Sequence, residues 1–135
     1  KNNDYLLVTC KHPNNFALKH LKKYLSNQDN CLISKPLNYF TTCKIISVSK
    51  FVITDSGGIQ EECATIGIPT VVCRKVTERK EALKIGIAKV SSFNNKDLLK
   101  LLNWAKNKKI KKWIKKPYGD GNSAKKITRI LLDNI

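Results

Sequence analysis

Ser56, Gly57 and Gly58 concentrate the residue types that hold a phosphate, and they stand where an apolar run gives way to an amphipathic one. Phe51-Val52-Ile53-Thr54 leads into Asp55-Ser56-Gly57-Gly58, and Ile59-Gln60-Glu61-Glu62 follows at once. Glycines without a Cβ let an anion approach the backbone amides. The start of a helix is electropositive, and the serine hydroxyl adds a donor. An ordinary tight turn also uses glycines after a strand, so this stretch alone does not decide between the two.

The neighbouring charged residues leave similar choices open. Glu61 and Glu62 are read in the first turn of the following helix. There they either complement the helix dipole, or one of them accepts hydrogen bonds from a ribose diol. Arg74 and Arg79 are two of three arginines in a chain with 23 lysines. An arginine against that background suggests a site needing a bidentate fork, although a surface ion pair would use the same residue. His12 and His20 are the only histidines, and no Ser/His/Asp or Cys/His arrangement is visible. A complete catalytic site cannot be assembled from this chain.

Positioning these residues takes a strand, a helix and a second strand. The run 51–54 reads as the first strand, the stretch from Ile59 as the helix, and Pro69-Thr70-Val71-Val72-Cys73 as the second strand. Upstream, 4–10 reads as a buried strand, and Asn14 or Asn15 is a candidate cap for a helix carrying Phe16, Leu18, Leu21, Tyr24 and Leu25. Residues 31–33 form a short strand, a proline loop follows, and 39–47 is helical. Downstream come a helix over 78–84, a strand over 87–90, helices over 95–105 and 108–115, and a turn over 116–121. A final amphipathic helix carries Ala124, Ile127, Ile130 and Leu131 on one face. Strands alternating with helices predict an α/β fold, a Rossmann-like parallel sheet with helices on both faces. The turn at the carboxyl end of the first strand is where such sheets bind phosphorylated ligands.

The 135 residues suit a single domain with a real core. No apolar run approaches the roughly 20 residues that span a bilayer, and the first residues carry no signal-peptide pattern. The chain begins with Lys and contains no Met, so it is expected to be a piece of a longer protein. Its net charge of +16 invites a nucleic-acid reading. The excess is lysine, however, accompanied by abundant Asn and Ile, as an AT-rich genome would produce. Arginine forks that read bases and phosphates are scarce, so no nucleic-acid partner is expected. Cys10, Cys31, Cys43, Cys63 and Cys73 show no metal-binding spacing and read as free thiols of a cytoplasmic protein.

Four linked motifs then become recognisable together. They are Thr54-Asp55-Ser56-Gly57-Gly58-Ile59-Gln60-Glu61-Glu62, the turn Gly67-Ile68-Pro69, the Arg74-x-x-Thr77-Glu78-Arg79-x-Glu81 segment, and Pro117-Tyr118-Gly119-Asp120-Gly121. In this order and spacing they resemble the non-hydrolysing UDP-N-acetylglucosamine 2-epimerases, from about His12 to the end. The resemblance implies the C-terminal, UDP-binding half of a GT-B fold, with an N-terminal domain that carries the acid–base carboxylates lying outside this chain. It implies that Ser56, Gly57 and Gly58 contact the diphosphate, Glu62 the ribose hydroxyls and Arg79 the phosphates. His12 would join them on the nucleotide side, and Phe40 would lie beside the uracil. The family interconverts UDP-GlcNAc and UDP-ManNAc by anti elimination and re-addition of UDP, with no metal or nicotinamide cofactor. The full-length enzyme would be a homodimer in cell-envelope sugar synthesis.

Two departures qualify that expectation. Leu6-Leu7-Val8-Thr9-Cys10 runs straight into Lys11-His12-Pro13-Asn14, where the family has an H-R-x-E-N segment, a helix and a strand before its H-x-N-P segment. A segment is thus expected to be missing between residues 10 and 11, and with it a nucleotide-contacting histidine. Lys75 and Lys80 also stand where Asp and Pro are usual. The alternatives are a catalytically inactive UDP-sugar-binding module, an epimerase for another UDP-acetamido sugar and, further off, a basic nucleic-acid-binding domain.

Overall fold

A computed structural model describes residues 5–11, 14–108 and 117–134. The chain divides into two compact units, Lys1–Thr42 and Cys43–Ile135. In the first unit, β1 (Leu7–Cys10) and β2 (Cys31–Ser34) pair in parallel, with Leu7 opposite Cys31 and Cys10 opposite Ser34. Helix α1 (Asn15–Leu25) connects them. Asn14 is its N-cap, the Oδ1 accepting from the Phe16 amide at 2.8 Å, so the first of the two candidate asparagines does the capping. Along the helix surface Phe16, His20 and Tyr24 recur every four residues. Their rings meet at tilted angles of 35° and 56°, with centroids 4.4 Å and 6.5 Å apart. Helix α2 (Tyr39–Val48) begins in the first unit and ends in the second.

The second unit is built around β3 (Val52–Thr54), β4 (Thr70–Val72) and β5 (Ala88–Val90), parallel and in that order across the sheet. Val52, Thr70 and Ala88 stand in register, as do Thr54, Val72 and Val90. All three strands therefore end at one edge, and the segments that follow them emerge there.

The central strand β4 is buried throughout, and alternation along it explains how. Val71 points to one face and packs with Leu101 and Ala105 of α5 (Asn95–Asn107). Val72 points to the other and packs with Ala64 of α3 (Gly57–Ile66), Ala82 of α4 (Lys80–Lys84), Ile87 and Ala88. A third cluster, Ile46, Cys63 and Ile68, seats the end of α2 against α3. Helices thus cover both faces of a parallel sheet, as the alternating apolar segments predict.

Helix α3 starts two residues earlier than its amphipathic pattern suggests. Ser56 is the N-cap, its Oγ accepting from the Ile59 amide at 3.5 Å, and the two glycines form the first helical turn rather than a turn ahead of it. Glu61 and Glu62 consequently fall in the second turn, not the first. The helix stops at Gly67, whose φ of 93° is left-handed and favours glycine. The amides of Gly67 and Ile68 both donate to the Cys63 carbonyl at 2.8 Å, and Pro69 prevents any continuation. Downstream, Asn94 caps α5, and Asp97 accepts from the Ser92 amide and hydroxyl at 2.8 and 2.9 Å. The expected helix over 108–115 lies outside the described residues, apart from Lys108, which caps α5. The last helix, α6 (Ser123–Leu132), is amphipathic as expected. Its apolar residues Ile127, Ile130 and Leu131 are exposed among the described residues. Among those residues no helix is long and apolar enough to cross a membrane.

Candidate functional site

At the carboxyl edge of the second sheet, the N-terminus of α3 meets the segment that follows β4. Capping determines which amides remain available. Ser56 spends its side chain on the Ile59 amide and its carbonyl on the Gln60 amide at 3.2 Å. The Gly57 and Gly58 amides donate to no other described residue, so they are the open donors at the positive end of the helix. Thr54 steadies the approach, its Oγ1 accepting from the Ser56 amide at 3.0 Å.

Arg79 folds over this terminus. A Cβ placed on Gly57 would stand 3.6 Å from Arg79 Nη2, 3.8 Å from its Nε and 3.3 Å from Glu78 Oε1. Gly57 is therefore a position of close approach, where the missing side chain leaves room for a guanidinium and a carboxylate. Arg79 is itself the N-cap of α4, and its side chain keeps 35 % exposure. It pairs with Glu61 through Nε, a coulombic contact without the alignment of a hydrogen bond, and with Glu78 at 4.0 Å.

Glu78 also takes two hydrogen bonds from Arg74 Nη1, at 3.2 and 3.4 Å. Its own backbone amide, then Arg74 and Arg79, hold its carboxyl below the usual range. A displaceable, half-exposed carboxylate thus sits beside the helix terminus, in the place a ligand's anionic group would favour. Glu62 behaves differently. It makes no hydrogen bond or ion pair with another described residue, and burial followed by the adjacent Glu61 raises its pKa.

Several supporting residues carry no role in the sequence reading. Gln60 is 1 % exposed, its Nε2 donating to the Ser56 carbonyl at 3.2 Å and its Oε1 accepting from Thr77 Oγ1 at 2.7 Å. Thr77 Oγ1 in turn accepts from the Arg79 amide at 3.1 Å. Tyr118 reaches back from the Pro117–Gly121 motif: its hydroxyl accepts from the Ala82 amide at 3.3 Å and donates to the Arg79 carbonyl at 3.5 Å. One signal for Gln60 was present. It shares a helix face with Cys63 and Ala64, three and four residues on, both of which are buried.

The structure brings Ser56, Gly57, Gly58 and Arg79 together and places Glu62 one turn further along the same helix. Phe40 lies in the first unit, 82 % exposed and edge-to-face with Tyr39 at 5.8 Å. His12 is outside the described residues. Among the described residues no three of His, Cys, Asp and Glu converge as a metal-binding group. What the arrangement offers is anion binding: two open amides, a helix dipole and a guanidinium side by side.

Comparison with known proteins gives a consistent result. A family profile described as UDP-N-acetylglucosamine 2-epimerase matches residues 1–132. The chain is 36 % identical to the UDP-N-acetylglucosamine 2-epimerase of Campylobacter jejuni, the match covering 97 % of this chain and 35 % of that protein. Among solved structures, the Methanocaldococcus jannaschii UDP-GlcNAc 2-epimerase in complex with UDP-GlcNAc and UDP aligns with a TM-score of 0.82 at 30 % identity. That alignment covers 96 % of this chain and 36 % of the enzyme. The S. aureus MnaA structure with UDP aligns at 0.84 and 29 % identity, covering 98 % and 37 %. The chain therefore spans little more than a third of the proteins it matches.

Proposed function

The chain belongs to the UDP-N-acetylglucosamine 2-epimerase family, and from that premise we propose that it is the UDP-binding part of an enzyme interconverting UDP-GlcNAc and UDP-ManNAc. One observation carries this reading: Arg79 lies against Gly57 at the N-terminus of α3, beside amides with no other described partner. A diphosphate suits that combination because its charge is spread over several oxygens. Backbone amides, the helix dipole and a bidentate fork then act on it together. Ser56, Gly57, Gly58 and Arg79 take the diphosphate on this reading. Glu62, unpaired among the described residues, accepts from the ribose hydroxyls.

The reaction asks for a site of this kind. In the forward direction a base removes the proton at C2 of the sugar while the C1–O bond to UDP breaks on the opposite face. This leaves a 2-acetamidoglucal and free UDP. Re-addition of UDP at C1, with protonation of C2 from the other face, inverts C2. Negative charge grows on the diphosphate as C1–O breaks, and preorganised donors stabilise growing charge most effectively. The same donors retain UDP until it adds back. The proton transfers belong to carboxylates outside this chain, so residues 1–135 bind UDP without turnover. The whole enzyme works as a homodimer in the cytoplasm.

Calorimetric titration of the 135-residue chain with UDP tests the reading. Saturable binding is expected, weakened about tenfold or more by Ser56→Ala and by Arg79→Ala, each removing a charge-assisted contact. Absence of UDP binding by the folded chain, or parent-like affinity in both variants, overturns it.

A further inference from the structure

We infer that Gln60 is a positioning residue for Arg79, acting through Thr77 to hold the guanidinium over the α3 N-terminus. The inference rests on the diphosphate reading of that site and adds the residues that set its geometry. Three hydrogen bonds join the two helix caps. The Arg79 amide donates to Thr77 Oγ1 at 3.1 Å, Thr77 Oγ1 donates to Gln60 Oε1 at 2.7 Å, and Gln60 Nε2 donates to the Ser56 carbonyl at 3.2 Å. Ser56 caps α3 and Arg79 caps α4, so the chain of bonds spans the two groups that would grip one diphosphate.

Burial makes the linkage directional. Gln60 is 1 % and Thr77 8 % exposed, so water competes poorly for either amide end or for the hydroxyl. A threonine hydroxyl has one proton. Accepting from Arg79 N–H leaves that proton for Gln60 Oε1, and the Gln60 NH₂ then faces the Ser56 carbonyl. Each partner thus fixes the orientation of the next. An apolar side chain of similar shape would fill the same space beside Cys63 and Ala64, while leaving the Thr77 hydroxyl without its acceptor. It would leave the Arg79 amide bonded to a Thr77 hydroxyl that Gln60 no longer orients, beside the contacts with Tyr118, Glu61 and Glu78.

UDP titration by calorimetry on the 135-residue chain, with folding monitored by circular dichroism, tests this in five variants. Gln60→Met and Thr77→Val are expected to raise the UDP Kd about tenfold while remaining folded. Thr77→Ser keeps the hydroxyl and is expected to stay within about twofold of the parent, as rescue by a conservative change requires. In an Arg79→Ala background, adding Gln60→Met is expected to change Kd by less than about twofold, because no guanidinium remains to be placed. Unchanged Kd in Gln60→Met and Thr77→Val overturns the inference and leaves the UDP reading standing. Equal losses with and without Arg79, or failure of both variants to fold, show a general structural role and also overturn it. If the parent chain itself does not bind UDP, the functional reading fails and this inference with it.

Discussion

Gly57→Ala separates stability from ligand binding. Gly57 is the first residue of α3, and its φ lies outside the left-handed region, so alanine is compatible with the backbone. Replacing glycine at such a position stabilises by about 0.5 kcal/mol through the unfolded chain. Against this, the new Cβ meets Glu78 Oε1 at 3.3 Å, a tight contact with the end of a half-exposed side chain that can give way. The two effects nearly cancel, or leave a Tm higher by about 2 °C. Binding should move the other way. The methyl would stand 3.6 Å from Arg79 Nη2, inside the space a phosphate oxygen needs to reach both the guanidinium and the helix amides. Loss of one charge-assisted hydrogen bond is worth about 1.5–3 kcal/mol, so the UDP Kd should rise about tenfold to a hundredfold. Calorimetry and a thermal melt on the same preparation read both quantities. A folded Gly57→Ala chain that binds UDP within about twofold of the parent would refute the placement of the diphosphate against Gly57.

Glu62→Gln should raise Tm at neutral pH. Burial and Glu61 raise the Glu62 pKa in the fold, so its ionised form is a penalty above that pKa, and the penalty fades as pH falls. Melts at pH 7.5 should therefore show the gain, and melts near about pH 4 should not. The same variant should bind UDP about tenfold more weakly, through loss of an anionic ribose acceptor. Tyr118→Phe removes a hydroxyl that bonds both Ala82 and Arg79, and should cost about 1 kcal/mol in a denaturant titration. Cys63 is fully buried, and burial pushes its thiol up to about 12, so a thiol reagent should modify it only on unfolding. Exposed Cys10 should react at once, as mass spectrometry of the labelled peptides would report.

Local signals in the sequence covered most of the elements. Short apolar and β-branched segments marked β3, β4 and β5, asparagine marked the start of α1, and the Gly-x-Pro turn marked the end of α3. The start of α3 was less legible because a glycine pair suits a turn and a first helical turn equally well. Only the Ser56 cap distinguishes them, and it shows in the bond to the Ile59 amide. The Gln60–Thr77 contact joins residues 17 apart and needs the packing of α3 beside the post-β4 segment, which no local pattern encodes. The pairing of Arg79 with Glu61 rather than Glu62 is settled by which face of α3 meets that segment. The sequence separates the two glutamates by one position, the helix by about 100°.

The Tyr118 hydroxyl ties down Arg79 across 39 residues of chain, which places a constraint on when the site can mature. During synthesis from the N-terminus at about 5–20 residues per second, roughly 2–8 s separate the making of Arg79 from the making of Tyr118. When that interval opens β3 and β4 exist as sequence, and β5 is complete eleven residues into it, while the Arg79 carbonyl and the Ala82 amide still await the Tyr118 hydroxyl. The guanidinium can visit its place over Gly57 before Tyr118 arrives, but one of the bonds that holds its backbone there forms only afterwards. Assembly of the sheet and completion of the binding patch are therefore separate events in time, and a nascent chain ending before Tyr118 would hold the first without the second.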